Sequence, residues 1–142
     1  LEWKYWLSDH KFSANLSLQD TDVDSLDLIG QPITVENDLY PDAMLNGFWQ
    51  YHISPNTGLG LHGRYLSNRR ASKSNVDLNG GNDYQLDGYW LLNMNITHNY
   101  DHHEVNLVVE NVFDEEYTEP GFSGLDLPGR SRAVILNIKL AL

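Results

Sequence analysis

Seven stretches of this sequence alternate apolar and polar residues with a period of two, and no other feature constrains the fold as much. In 131–142, Val134, Leu136, Ile138, Leu140 and Leu142 share one face, with Asn137 and Lys139 on the other. In 89–98, Trp90, Leu92, Met94 and Ile96 alternate with Tyr89, Asn93, Asn95 and Thr97. Comparable patterns occupy 10–19, 44–53, 58–66 and 103–113, and 1–7 reads as the end of a further strand. Several of these runs approach the ~9–11 residues that a tilted strand needs to cross a bilayer.

The connections sharpen the reading. Tight turns fall at 8–10, 54–57 and 99–102, and between them lie three connections of about twenty residues, 20–42, 67–87 and 114–130. These long segments are rich in Asp, Asn, Gly, Ser or Pro, as exposed loops are. Short and long in strict alternation predicts an all-β, antiparallel up-and-down meander with every long loop at one end. Transmembrane β-barrels have that layout, with short periplasmic turns and longer extracellular loops.

Composition excludes several classes. Cysteine is absent, so neither a disulfide framework nor a thiolate metal site is available. The net charge of −11 argues against a nucleic-acid partner. No run approaches the ~18 apolar residues of a membrane helix, a fact that leaves barrel strands open. No nucleophile–base–orienter set and no phosphate-binding glycine loop is visible, so the chain reads as a non-enzyme that needs no cofactor.

The stretch VENVFDEEYTEPGF, followed by LPGRSRAVILNIKLAL, resembles the C-terminal end of TonB-dependent outer-membrane receptors. Asn111, Val112, Phe113, Asp114 and Tyr117 match the end of that family's penultimate strand, and Pro128, Gly129 and Arg130 match the close of its last loop. Upstream, GLGLHGRYLSNR and LDGYWLLNMNITH resemble two more of its strands. The family usually ends on an aromatic residue, whereas this chain ends on Leu142.

The resemblance implies that 1–142 is the last seven or so strands of a 22-stranded barrel, without its plug domain and earlier strands. Leu136, Ile138, Leu140 and Leu142 would then lie on the barrel-closing strand. The implied function is TonB-energised uptake of a scarce nutrient such as a ferric siderophore, in the outer membrane of a Gram-negative cell with a periplasmic C-terminus. The implied partners are outer-membrane lipid, TonB through the plug, the barrel-assembly machinery and a small ferric chelate. A small soluble β-barrel or sandwich that binds a ligand remains the alternative; there the apolar face would turn into a core rather than toward lipid.

Individual residues suggest further sites. Asp20, Asp22, Asp24 and Asp27 have the spacing of a calcium loop, but Ser25 and Gln31 stand where an EF-hand needs Gly and Glu. A solvated acidic loop is the simpler reading. Arg69, Arg70 and Lys73 form the cationic cluster of the loops and are candidates for contact with an anionic chelate. His52 and His62 fall on one face of neighbouring strands and are candidates to approach each other. Trp3, Tyr5, Trp49, Tyr51, Tyr65 and Trp90 are expected in an aromatic girdle at the membrane boundary.

Overall fold

In a computed structural model of the chain, residues 1–142 are described except 21, 27–29, 37–39, 83 and 141–142; the side chains of 22–26, 32–36, 73, 74 and 122 are also left aside. In chain order the elements are β1 (Glu2–Leu7), β2 (His10–Leu18), β3 (Asp22–Leu26), β4 (Pro32–Glu36), β5 (Ala43–Ser54), β6 (Thr57–Leu66), β7 (Arg69–Arg70), α1 (Lys73–Leu78), β8 (Gln85–Leu86), β9 (Tyr89–Tyr100), β10 (His103–Glu110), β11 (Thr118–Phe122), β12 (Leu125–Pro128) and β13 (Ala133–Lys139).

Seven of them form one antiparallel sheet in the order β1-β2-β5-β6-β9-β10-β13. Every neighbour is the next long strand in the sequence, so the sheet is a meander and its three long connections all leave from the same end. Turn chemistry fits the short ones. Ser8 and Asp101 each open a two-residue turn at positive φ (48° and 50°), a backbone region where short polar residues are enriched.

Registry gathers the charged residues of the sheet on one face and leaves the other mainly apolar and aromatic. One cross-strand row runs Tyr5, Phe12, Trp49, Leu61, Met94, Val109, Val134. The next runs Leu7, His10, Tyr51, Leu59, Ile96, Leu107, Leu136. The charged residues of the sheet strands, Glu2, Lys4, Lys11, Arg64, Glu104, Glu110 and Lys139, all fall on the opposite face, beside Asn15, Asn46, Asn93, Asn106 and Asn137. The apolar face is uncovered: Val134, Leu136 and Ile138 are 67%, 60% and 59% exposed. A soluble barrel would turn these residues into its core. Of the aromatic residues expected in a girdle, Trp49 and Tyr51 lie on this face toward the short turns and a stacked Tyr65–Trp90 pair (4.6 Å) toward the long connections.

The long connections differ from the expectation of open loops. Each carries a small two-stranded sheet, β3–β4, β7–β8 or β11–β12, and the middle one adds α1. With strands of two to five residues and one six-residue helix, they offer too few repeats for a periodic signal. The buried apolar residues, Leu66, Ala71, Val76, Leu86 and Tyr89, gather here, at the loop end of the polar face.

Two strand ends also differ from expectation. β10 stops at Glu110, because Asn111 takes φ 50° and turns the chain out of the ladder. β13 covers Ala133–Lys139, so Leu136 and Ile138 sit in it, Leu140 lies beyond it, and Leu142 falls outside the described residues.

Candidate functional site

The residues that carried the sequence resemblance close on one another at the loop end of β10 and β13. Asn111 is 4% exposed, and its side-chain amide donates to the carbonyls of Glu115 (2.9 Å) and Arg130 (3.0 Å). Its amide oxygen accepts from Glu115 N–H (2.9 Å), while its own N–H donates to Asn93 Oδ1 (2.8 Å). Asparagine suits the place twice, since it tolerates positive φ and offers both donor and acceptor. Asp114 Oδ1 accepts from Arg132 N–H (2.7 Å), and Arg130 pairs with Glu110 (2.6 Å). These contacts tie the start of the last long connection to its end.

Tyr117, Pro128 and Gly129 complete the closure. The Tyr117 carbonyl accepts from Gly129 N–H (2.7 Å), and its hydroxyl accepts from Arg130 N–H (3.2 Å). Pro128 pairs with Thr118 at the end of the β11–β12 ladder. A Cβ on Gly129 would overlap the Tyr117 ring, so glycine is required by space. Gly129→Ala is expected to cost about 1–3 kcal/mol, the usual range for overpacking, read as a lowered unfolding midpoint of the full-length protein. Phe113, by contrast, is 75% exposed and takes no part in this closure.

A second network locks the middle connection against the last. The Arg69 side chain is only 1% exposed; its Nη2 donates to Glu119 Oε2 (2.7 Å) and to the Thr118 carbonyl (3.2 Å). The Tyr89 hydroxyl donates to the other Glu119 oxygen, the Tyr89 ring lies 5.7 Å from the guanidinium, and Tyr117 packs on it with centroids 4.3 Å apart. Farther out, fully buried Asn75 donates to Asp126 Oδ1 (2.8 Å) and accepts from Gly124 N–H (2.9 Å). The Tyr84 hydroxyl donates to Asp126 Oδ2 (2.6 Å), and Asn79 Nδ2 donates to the Gly124 carbonyl (3.0 Å). The two connections thus form one platform over the polar face of the sheet.

Asp126 and Tyr84 give that platform a pH range. Burial works to raise the Asp126 carboxyl, but hydrogen bonds from Tyr84, Gly121 N–H and Asn75 outweigh it and hold it below the ordinary aspartate value. The hydrogen bond to Asp126, burial and the nearby negative charge push the Tyr84 phenol up. Since the folded Asp126 value is depressed, its contribution is present above the unfolded aspartate pKa of about 4 and is lost as pH falls through the folded value. That of Tyr84 is present below about 10 and is lost as pH rises through its folded value. Protection factors for amides of 73–79 and 118–128 in the full-length protein, which divide out the pH dependence of intrinsic exchange, are expected to be highest on a plateau between these limits. Asp126→Asn should remove the acid-side change.

The remaining sequence candidates separate. Arg69 turns inward, so its guanidinium is not presented to solvent; Arg70 is exposed, and Lys73 opens α1 with its side chain outside the described residues. Asp20 is exposed at the end of β2. Asp22 and Asp24 lie in β3 with side chains outside the described residues, as Asp27 is altogether, and no group of three metal-binding side chains occurs among those that are described. His52 pairs with Gly58 and His62 with Phe48, so the two histidines do not meet; each lies at a different distance from the turn that joins their strands. What the sequence reading missed, the Ser72 cap of α1 and the Ser123–Gly124 turn, had local signals: Ser72 accepts from Asn75 N–H (3.3 Å), and Ser123 and Gly124 both take positive φ (57° and 84°).

Sheet, faces and loop platform together have the fold of the C-terminal barrel strands of outer-membrane siderophore receptors. The ferripyoverdine receptor of the outer membrane of Pseudomonas aeruginosa, bound to ferripyoverdine, is similar over 95% of this chain, with a TM-score of 0.70 at 16% identity. The siderophore receptor PiuA from Acinetobacter baumannii is similar over 93% (TM-score 0.70, 14% identity), and the ferric-catecholate import receptor Fiu from E. coli over 95% (TM-score 0.63, 16% identity). The chain spans 18%, 19% and 24% of those three chains. No protein-family model and no curated protein sequence matches it.

Proposed function

We propose that residues 1–142 are the C-terminal part of a TonB-dependent outer-membrane receptor that imports a ferric siderophore, and that this segment performs no chemistry of its own. The observation that carries the reading is the division of the sheet into a charge-free apolar face and a face holding its charged residues. Such a sheet is suited to lipid on one side and a polar lumen on the other. The likeness in fold to three siderophore receptors supports the same reading. In it, the long connections face the outside and the short turns and C-terminus face the periplasm. The platform of the last two connections forms part of the rim around the ligand, and the plug and TonB contacts belong to other parts of the receptor.

The test is import by the full-length receptor in a Gram-negative strain stripped of its own siderophore receptors. With labelled hydroxamate and catecholate ferric chelates, the reading expects receptor-dependent accumulation that stops when TonB is deleted. Accumulation of none of these chelates, or import that persists without TonB, would overturn it.

A further inference from the structure

We propose that the β11–β12 hairpin, residues 118–128, is a hinged flap latched over Arg69, and that it lifts and closes as one body. Its two legs are pinned at the base, where Gly129 N–H donates to the Tyr117 carbonyl (2.7 Å) and the Asn111 amide holds Glu115 and Arg130. Beyond that hinge, contacts to the middle connection hold the hairpin down. Glu119 takes Arg69 and Tyr89, Asp126 takes Asn75 and Tyr84, and Gly124 takes Asn75 and Asn79. The Ser72 hydroxyl adds a bond to the Gly121 carbonyl (3.4 Å). All of these contacts are made within the chain, so they do not depend on what covers the sheet elsewhere.

The latch is polar. Among the described residues of the hairpin no apolar side chain is buried, whereas Leu66, Ala71, Val76, Leu86 and Tyr89 all come from the middle connection and the strand ends beside it. A two-stranded hairpin has little stability of its own, and water can replace the hydrogen bonds of such a latch. The Arg69 guanidinium itself favours opening. Its side chain is 1% exposed, and Nη1 finds no protein partner among the described residues, so a lifted flap would return a buried charged donor to water. A polar latch opposed by an unsatisfied buried group gives the low local stability from which opening short of global unfolding arises. With the flap down the cation is sealed; with it up, Arg69 joins exposed Arg70. In the transport reading, on which this consequence alone rests, the open flap offers a guanidinium to an anionic chelate at the rim.

Hydrogen exchange and arginine modification, both read by mass spectrometry on the full-length protein, test it. Asn75→Ala removes two bonds of the latch and leaves the partners of Arg69 in place. It is expected to lower the protection factors of 118–128 together by about tenfold, while those of 111–117 and of the sheet strands β6 and β9 stay unchanged. Phenylglyoxal should modify Arg69 slowly in the parent protein and about tenfold faster in Asn75→Ala. Glu119→Gln, a nearly isosteric change, should lower the protection of 118–128 likewise, and it carries the test should Asn75→Ala fail to assemble. Unchanged protection of 118–128 overturns the proposal, including where other segments of the full-length protein hold the hairpin down, as does Arg69 modified no faster in Asn75→Ala. Loss of protection that spreads to 111–117 also overturns it, because the connection would then have no hinge. Flap opening and chelate import are separate measurements, so import with an immobile flap refutes the flap alone.

Discussion

Leu136→Arg is expected to destabilise the full-length protein refolded into lipid by about 2–4 kcal/mol, and Asn137→Arg, one residue along, by well under about 1 kcal/mol. Leu136 lies midway along β13, in a row with Leu107 and Ile96 on the charge-free face. In a bilayer, an arginine there would place a guanidinium charge in the apolar layer with no polar neighbour. Asn137 pairs with Asn106 on the opposite face, where arginine meets amides and water. Chemical denaturation in lipid vesicles measures both. Equal losses would contradict the assignment of faces.

Asn111→Ala is expected to cost about 2–4 kcal/mol, from unsatisfied partners at a buried position and from alanine held at positive φ. The Glu115 N–H and the Glu115 and Arg130 carbonyls would each lose a partner. Asn111→Gly separates the two causes, since it relieves the backbone and leaves the hydrogen bonds broken. The glycine variant should recover about 1 kcal/mol of the loss, seen in the denaturation midpoint. If alanine were tolerated as well as asparagine, Asn111 would not be what closes the last connection.

The strands were legible in the sequence because each main strand alternates for long enough to declare its face, as Val105, Leu107 and Val109 do against Asn106 and Glu110. Even the separation of His52 from His62 could have been found by counting outward from the Ser54–Thr57 turn. The loop platform was not legible. Nothing near Arg69 says that its guanidinium turns inward, because its partner Glu119 is 50 residues away. The same holds for Asn75 and Asp126, joined across 51 residues. Local signals such as Ser72 before α1 mark where an element begins, but not what it packs against. The run from Asn111 to Tyr117 could be compared with a family pattern by its letters, while its physical role needed the fold of Gly129 and Arg130 against it.

The central claim is that the apolar, charge-free face of the sheet contacts lipid. The absence of native cysteine within this segment makes β13 suited to single-cysteine spin labelling in the full-length protein in vesicles. Labels at 134, 136 and 138 are predicted to be accessible to oxygen dissolved in the bilayer and shielded from a water-soluble nickel chelate, with 135, 137 and 139 shielded from oxygen. Labels at 134, 136 and 138 that are shielded from both reagents, as in a soluble core, or accessibility that fails to alternate along the strand, would contradict it.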